Sequence, residues 1–386
     1  MCAVKGFSAN GVHCGFYPNG GREDFALIYS DQRAATACVY SVGSFHGATA
    51  LLTQKNLSSG YARAIVANSG VANVAPEGIK LAKSVCLEVS KRTRATETEI
   101  VIASTGKIGL PLTLSTYLKG VDGLVKGLSA TDEGSKAAAR AIMTEDLHPK
   151  QMAFSFELGA YPCKIGAIFK GGARVSPNMA TTLCFLTTDV AISPKMLQKA
   201  LNTAVKDTFN MSDIDGTSSP NDTVCIMANG NAGNYKIDYA DTEYKKFTDA
   251  LCETMRQICI ALLKDAPRMR KLLLCKVCNA KSKQTARAVA KAVVCSEDLR
   301  HNTLNNRLDF EAILGAAYST GETFVLTKTT LTVSSENGRL VVFEDGKATD
   351  FSKEAQERIL NGVEIEIIFS LGEGNYGARA YGCVRE

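Results

Sequence analysis

The alternation of short strand patterns with amphipathic helix patterns most constrains the fold of this chain. Residues 62–70, "ARAIVANSG", are typical of a buried strand, and residues 78–93, "GIKLAKSVCLEVSKRT", place their apolar side chains at helical spacing. The alternation continues along all 386 residues, without a Pro-rich or Ser-rich linker, an internal repeat or a low-complexity tract. This order of elements predicts an α/β architecture.

A hairpin signal in the last third of the chain argues against a purely parallel sheet. Two strand patterns within residues 323–345 flank Asn337-Gly338, a dipeptide favoured in tight hairpin turns. We therefore predict a mixed-sheet α/β sandwich. Further strands are predicted at 24–31, 35–42, 98–106, 183–192, 222–230 and 363–372, and further helices at 132–143, 193–209, 243–265 and 285–294.

Charge and hydropathy narrow the class of protein. The chain is 45% hydrophobic and 22% charged, and its 44 basic and 39 acidic residues give a net charge of +5. The basic residues are mostly scattered, whereas a nucleic-acid interface needs them clustered on one face. No apolar run reaches the roughly 20 residues of a membrane span. We therefore expect neither a nucleic acid nor a membrane as partner.

The 13 cysteines are irregularly spaced, and the opening "MCAVKGFSANGVHCGF" lacks the apolar core of a secretory signal. We expect reduced thiols in a cytoplasmic protein. Cys275 and Cys278 form one C-x-x-C, but only Cys295 and His301 are candidates for a second ligand pair. We therefore interpret the cysteines mainly as buried packing residues and expect no metal and no cofactor.

Several common catalytic patterns are missing. The glycine stretch "KGGARVSPNMAT" matches neither a phosphate-binding P-loop nor the G-x-G-x-x-G dinucleotide fingerprint. None of the four histidines lies in a distinctive motif, and no G-x-S-x-G elbow occurs. A nucleophile in this chain would therefore need a base other than histidine.

The threonine pair Thr181-Thr182, at the entry to an apolar run, offers such chemistry. A terminal α-amine has a pKa of about 7.7–8.0 and can act as a base at neutral pH. A threonine at the start of a chain thus carries nucleophile and base together. Because residue 181 is internal, the chain would first have to be cut after the small Ala180. The alternative is that these threonines are ordinary strand residues.

The stretch "KGGARVSPNMATTLCFLTTD", residues 170–189, closely resembles the signature of the ornithine acetyltransferases, the bifunctional glutamate N-acetyltransferases of arginine biosynthesis. "ARAIVANSG", "ASTGKIG" at 103–109, "DIDGTSSPNDTVCIMANG" at 213–230 and "TARAVAKAV" resemble further blocks of that family, in the same order. The resemblance extends from about Val4 to Cys383. It implies the family's own mixed α/β sandwich fold.

The resemblance also implies self-cleavage between Ala180 and Thr181, giving an α chain of residues 1–180, a β chain of residues 181–386 and an α2β2 assembly. Thr181 would accept an acetyl group from N-acetylornithine as an ester and pass it to glutamate, and acetyl-CoA is left open as a second donor. Thr105 and Gly106 would stabilise the oxyanion, and Lys170 would contact the substrate. For these three residues a turn or a solvated lysine is the plain alternative.

Three departures separate the chain from the family pattern. Leu147 replaces a threonine that helps to bind substrate, and Pro267 stands where the family has a glutamate, with Asp265 nearby and Arg268 and Arg270 added. The third is that the sequence ends soon after Gly382-Cys383, before the family's substrate-contacting tail. The alternative functions are a self-cleaving relative with reduced or altered activity, and an amide or peptide hydrolase using the same threonine.

Overall fold

The described residues form two sheets, one in each of two units. The structure, a computed structural model, describes residues 1–17, 20–41, 43, 45–75, 77–171, 182–214 and 219–386. The first unit comprises Met1–Val205 and Thr217–Ile258, and the second comprises Lys206–Gly216 and Cys259–Glu386. Among the described residues, no helix combines the length and apolar character needed to cross a membrane.

The strands and helices predicted from the sequence are present in their predicted order, and the structure adds others that were not predicted. The strands are β1 (Phe7–Val12), β2 (Phe25–Tyr40), β3 (Tyr61–Asn68), β4 (Ile100–Ser104), β5 (Lys150–Leu158), β6 (Tyr161–Lys170), β7 (Leu183–Thr188), β8 (Ser212–Asp213), β9 (Thr223–Ala228), β10 (Met269–Ala280), β11 (Thr330–Ser335), β12 (Gly338–Glu344), β13 (Lys347–Ala348), β14 (Glu364–Ser370) and β15 (Tyr376–Arg385). The helices are α1 (Ala48–Asn56), α2 (Gly78–Ser90), α3 (Leu114–Leu118), α4 (Val121–Lys126), α5 (Asp132–Ala141), α6 (Pro194–Asp207), α7 (Thr242–Lys264), α8 (Lys283–Cys295), α9 (Glu297–Leu304), α10 (Phe310–Tyr318) and α11 (Lys353–Leu360).

The sheet of the first unit has the order β4-β3-β2-β9-β7-β6-β5, with β1 paired to β2. The pairs β3–β4 and β7–β9 are parallel, and the others are antiparallel. One expectation was wrong in detail: residues 24–31 and 35–42 were predicted as two strands, but β2 is continuous. The polar stretch 31–33 marks a register shift between Tyr29 and Ala34 rather than a turn, as a bulge does.

Alternate residues of the central strands serve two separate cores. Ile28 and Ile65 pack with Ala138 of α5 on one face, whereas Leu27 and Val66 belong to the core formed with α1 to α4 on the other. This two-sided burial follows from the period of two along a strand. In α2, the helical spacing correctly predicts its buried face, formed by Ala82, Val85, Cys86 and Val89.

The sheet of the second unit has the order β13-β12-β11-β14-β10-β15-β8. The β11–β12 hairpin is confirmed, with Ser335 opposite Gly338 at its closed end. β10 runs parallel to β14 and antiparallel to β15, so this sheet is also mixed. The apolar face of α8 packs on it; its buried side chains include Ala286, Val289, Ala290 and Val293. The predicted mixed-sheet α/β fold class is therefore confirmed for both sheets.

The C-x-x-C pair lies within β10. Cys275 is buried in the core of the second unit, and Cys278 is partly exposed. Because residues three apart on a strand point to opposite faces, the two thiols do not converge on one point. This geometry agrees with packing as the role of Cys275.

Candidate active site

Lys170 and Thr105 meet in the first unit, although 65 residues separate them in sequence. Lys170 is the last residue of β6, and Thr105 directly follows β4. Lys170 Nζ donates a hydrogen bond of 3.2 Å to Thr105 Oγ1. Lys170 is 1% exposed and Thr105 6%, so this contact is shielded from bulk water. The plain alternative of a solvated lysine at position 170 is therefore wrong.

The carboxylates of Asp146 and Asp222 act on the Lys170 ammonium. Burial lowers the pKa of Lys170, and the negative charges of Asp146 and Asp222 oppose that shift. Burial raises the pKa of the Asp146 carboxyl, but Lys170 and Lys150 outweigh it and hold that pKa at about 2. Lys150 Nζ also donates a hydrogen bond of 2.8 Å to Asp146 Oδ1. The site therefore contains buried charges of both signs rather than an isolated cation.

Gly106 occupies a position that only glycine fits. Its φ is +133°, and a Cβ placed there would lie 2.2 Å from the carbonyl carbon of Gly70. The Thr105 N–H is bonded to the Asn68 carbonyl at 2.9 Å. Within the described ranges, the Gly106 N–H has no acceptor. Thr105 and Gly106 thus bring a hydroxyl and an unoccupied N–H together, the donor types that stabilise an oxyanion.

Asp222 holds the residue that follows the predicted nucleophile. Asp222 Oδ1 accepts a hydrogen bond of 2.7 Å from the Thr182 N–H, and Oδ2 accepts one of 3.0 Å from the Ser219 N–H. The Thr182 carbonyl in turn accepts the Thr223 N–H at 2.9 Å. The Asp222 carboxylate therefore has a structural role: it caps the turn at Ser219 and also fixes the chain entering β7.

Asp146 fixes the chain leaving β6 in the same way. Its Oδ1 accepts a hydrogen bond of 2.9 Å from the N–H of Gly171, the residue after Lys170. Sequence reasoning missed Asp146, which directly precedes the departure at Leu147 in "MTEDLHPK". Leu147 is 57% exposed and has no hydrogen-bonding side-chain group. The polar-to-apolar departure therefore falls directly beside a charged residue of the site.

The predicted scissile pair, Ala180 and Thr181, lies outside the described residues, which stop at Gly171 and resume at Thr182. The nucleophile, the cleavage and the division into residues 1–180 and 181–386 therefore stay predictions. Lys170 pairs with Leu183 across β6 and β7, so the two described ends flanking this gap lie side by side. Of the predicted site residues, the structure brings Lys170, Thr105 and Gly106 together.

The departure at Pro267 lies in the second unit, just before β10. Arg268 has a φ of +62°, and Arg270 forms an ion pair with Glu386. Asp265, suggested as a substitute carboxylate, is 7% exposed. The added positive charge of Arg270 is therefore balanced within the second unit.

Comparison with known proteins gives one consistent set of relatives. The model of the ArgJ family matches residues 8–384. The arginine biosynthesis bifunctional protein ArgJ of Caldanaerobacter subterraneus subsp. tengcongensis is 34% identical over 381 residues, which cover 98% of this chain and 94% of that protein. The protein of the same name from Bacillus subtilis is 31% identical over 387 residues, covering 99% and 93% respectively.

Two solved structures are also similar. The crystal structure of the arginine biosynthesis bifunctional protein ArgJ from Bacillus halodurans is 26% identical with a TM-score of 0.48, covering 52% of this chain and 92% of that chain. The ornithine acetyltransferase from Mycobacterium tuberculosis, solved in complex with ornithine, is 30% identical with a TM-score of 0.40, covering 46% and 95%. Each match thus covers most of the solved chain but only about half of this chain.

Proposed function

The chain belongs to the ArgJ family, and from that membership and the geometry of its site we propose that it transfers an acetyl group from N-acetylornithine to glutamate. Acetyl-CoA is left open as a second donor. The reaction needs a nucleophile, a base and donors for the developing oxyanion. The proposal assigns the first two to Thr181, after cleavage from Ala180, and the third to Thr105 and Gly106.

The chemistry proceeds in two halves. The Thr181 hydroxyl attacks the acetyl carbonyl while its own α-amine takes the hydroxyl proton. The tetrahedral oxyanion collapses, the nitrogen of ornithine leaves with that proton, and an acetyl ester remains on Thr181. The amine of glutamate then attacks the ester and gives a proton to the α-amine. The C–O bond to Thr181 breaks, N-acetylglutamate leaves, and the Thr181 oxygen takes the proton back from the α-amine. Acceptor and donor use the same site in turn.

The single observation that carries the proposal is the hydrogen bond from Lys170 to Thr105. Because Lys170 Nζ occupies a lone pair of Thr105 Oγ1, the Thr105 hydroxyl proton must point elsewhere and is free to donate to an oxyanion. The neighbouring Gly106 N–H has no acceptor in the described part of the chain. Two adjacent donors are thus prepared before substrate arrives, which is how an oxyanion hole lowers a barrier.

Two hydrogen bonds, one on each side of the segment that contains Thr181, support its assignment as the nucleophile. Asp222 holds Thr182 immediately after it, and Asp146 holds Gly171 at the other described end. These carboxylates are also the ones whose charges act on Lys170. Nucleophile, oxyanion donors and cation are therefore proposed to share one charged network in the first unit.

Intact-mass analysis tests the proposal. We expect wild-type protein to give two fragments that meet at Ala180/Thr181, and Thr181→Ala to give one full-length chain. Thr182→Ala is the matched control, because it changes the neighbouring threonine and should still be cut. Incubation with N-acetylornithine should then make the C-terminal fragment heavier by one acetyl group. An uncut wild-type chain would rule out this mechanism.

The exposed Leu147 favours a second candidate, a self-cleaving relative whose acyl chemistry has changed or weakened. With poorer recognition of glutamate, water would take the acetyl group, which is an amide hydrolase reaction. Release of acetate from N-acetylornithine without glutamate distinguishes the two. Equal acetate release with and without glutamate supports the hydrolase, whereas N-acetylglutamate formation supports the transferase.

A further inference from the structure

Helix α1 begins without a side-chain cap. Its N-cap residue is Gly47, and its first turn contains no acidic residue. The Ala48 N–H is bonded to the Asn73 carbonyl at 3.0 Å, whereas the N–H groups of Thr49 and Ala50 have no acceptor in the described ranges. Such a helix end presents free donors and a partial positive charge, which favours an anion.

A buried amide side chain lies at this helix end. Asn221 is 4% exposed, and a Cβ placed on Gly47 would lie 2.0 Å from Asn221 Oδ1. Among the described residues, Asn221 Oδ1 has no hydrogen-bond partner, although it is fully shielded from solvent. A buried polar atom without a partner destabilises the fold, because it has given up its hydrogen bonds to water. The pairing of free N–H groups with an unsatisfied amide therefore points to a missing ligand.

The loop that enters α1 adds two more unsatisfied groups. Ser41 Oγ and His46 Nδ1 are both buried and without a hydrogen-bond partner in the described part of the chain. The Gly47 N–H holds this loop to the Pro220 carbonyl at 2.8 Å, next to Asn221. A hydroxyl, an imidazole and a carboxamide can all donate to an anion, since the amide of Asn221 can be turned by 180°.

This helix end adjoins both halves of the candidate active site. Thr49 Oγ1 lies 3.3 Å from Ser104 Oγ, which directly precedes Thr105. Asn73, whose carbonyl accepts the Ala48 N–H, donates its own N–H to the same Ser104 Oγ at 2.9 Å. On the other side, Asn221 directly precedes Asp222, which holds Thr182. An anion at α1 would thus lie between the proposed oxyanion donors, Thr105 and Gly106, and Asp222, which holds the Thr182 N–H.

We propose that the N-terminal turn of α1, with Asn221 and His46, forms a subsite for the α-carboxylate of the amino-acid substrates. The inference rests on the proposed function, because N-acetylornithine and glutamate share the α-carboxylate and differ in their side chains. That carboxylate is attached to the carbon bearing the reacting nitrogen, so its subsite must lie close to the oxyanion donors. The position of α1 beside Ser104 meets this requirement.

Titration calorimetry with L-glutamate and with its α-amide, L-isoglutamine, tests the subsite. The wild type should bind glutamate about tenfold or more tightly than the α-amide, since a hydrogen bond to a charged group is worth that much. Asn221→Asp keeps the shape but repels a carboxylate, so it should abolish the preference. Asn210→Asp is the matched control, because Asn210 Oδ1 is also buried and unpartnered but lies in the second unit, and it should retain the preference.

A second variant is needed in case Asn221→Asp does not fold. Gly47→Ala pushes the Asn221 amide out of the helix end, and it should also abolish the preference while the far-UV circular dichroism stays that of a folded protein. If either Asn221→Asp or Gly47→Ala still prefers glutamate to its α-amide, the subsite is wrong. The same holds if the wild type binds glutamate and the α-amide equally, or binds neither. The acetyl ester on the C-terminal fragment is measured separately. Acid-selective binding without ester formation would thus contradict the proposed function and leave the subsite standing.

Discussion

The ammonium of Lys170 lies 3.2 Å from the hydroxyl oxygen of Thr105, and both side chains are buried. This contact joins the end of β6 to the end of β4, and it orients the hydroxyl proposed to stabilise the oxyanion. The same lysine is flanked by the charges of Asp146 and Asp222, each of which holds one described end of the segment containing Thr181. Lys170 is therefore in contact with a proposed oxyanion donor and in the field of the two carboxylates that hold the residues beside the proposed nucleophile.

Thr105→Val should remove an oxyanion donor while keeping the volume of the side chain. We expect the rate of acetyl transfer to fall by about 10²–10³-fold, the usual effect of losing one such donor. Thr105→Ser keeps the hydroxyl and should retain most of the rate. Steady-state kinetics of N-acetylglutamate formation provide the measurement. A Thr105→Val enzyme with a wild-type kcat would show that Thr105 has no role in the reaction.

Gly106→Ala should destabilise the first unit, because its φ of +133° is strained for alanine and its Cβ would overlap Gly70. Gly109→Ala is the matched control from the same turn: its φ is +85°, but no heavy atom lies within 4 Å of the added Cβ. Strain alone costs about 1–3 kcal/mol, and the clash adds to it. Thermal melts should show a clearly larger loss for Gly106→Ala. Equal losses of melting temperature in the two variants would mean that the Gly70 backbone can shift to make room for the added Cβ.

The local parts of this site are visible in the sequence. The strand predicted at 98–106 is present as β4, which is shorter and stops at Ser104, so that Thr105-Gly106 directly follow it. The apolar run after Thr182 likewise predicts β7. These assignments succeed because periodicity and turn residues act over a few neighbours.

The assembly of the site is not visible in the sequence. Lys170 reaches Thr105 across 65 residues, Asp222 reaches Thr182 across 40, and Asp146 reaches Gly171 across 25. Each contact depends on strand order in a mixed sheet, which no local pattern encodes. The environment of the uncapped start of α1 was missed for the same reason, since the neighbouring Asn221 comes from a distant loop.

Asp146 should make stability depend on pH in the acid range. Its pKa is about 2 in the folded protein, against an ordinary value of 3.8. Because the folded-state pKa is the lower one, the contribution is fully present above about pH 4 and is lost as the pH falls towards 2. The loss is about 2 kcal/mol for one buried carboxyl.

Urea unfolding of wild type and Asp146→Asn between pH 5 and pH 2 measures this contribution. The variant should be less stable at pH 5 and should lose less stability on acidification. Asp350→Asn is the control, since Asp350 is an exposed carboxyl outside this network. Parallel acid dependence of wild type and Asp146→Asn would show that Asp146 is not the titrating group.

Asp222→Asn should slow self-cleavage. The carboxylate accepts the N–H groups of both Thr182 and Ser219, and an amide offers only one oxygen for the two donors. One buried N–H is then left unsatisfied, at a cost of roughly 1–3 kcal/mol. The time course of fragment appearance after translation, followed by intact mass, should lengthen, and the melting temperature should fall. Cleavage at the wild-type rate in a destabilised variant would separate the structural role of Asp222 from the proposed processing role.

Leu147→Thr should increase acetyl transfer. Leu147 is 57% exposed and adjoins Asp146, whose carboxylate holds Gly171 beside Lys170. A hydroxyl at this position supplies the hydrogen-bonding group that the family resemblance expects there. One added hydrogen bond to a charged substrate is worth about 1.5–3 kcal/mol, so KM should fall by about tenfold or more while stability changes little. Leu147→Val, which has similar shape to threonine without the hydroxyl, is the matched control. If both variants give the same KM, the hydroxyl has no substrate contact, and the departure at residue 147 does not limit activity.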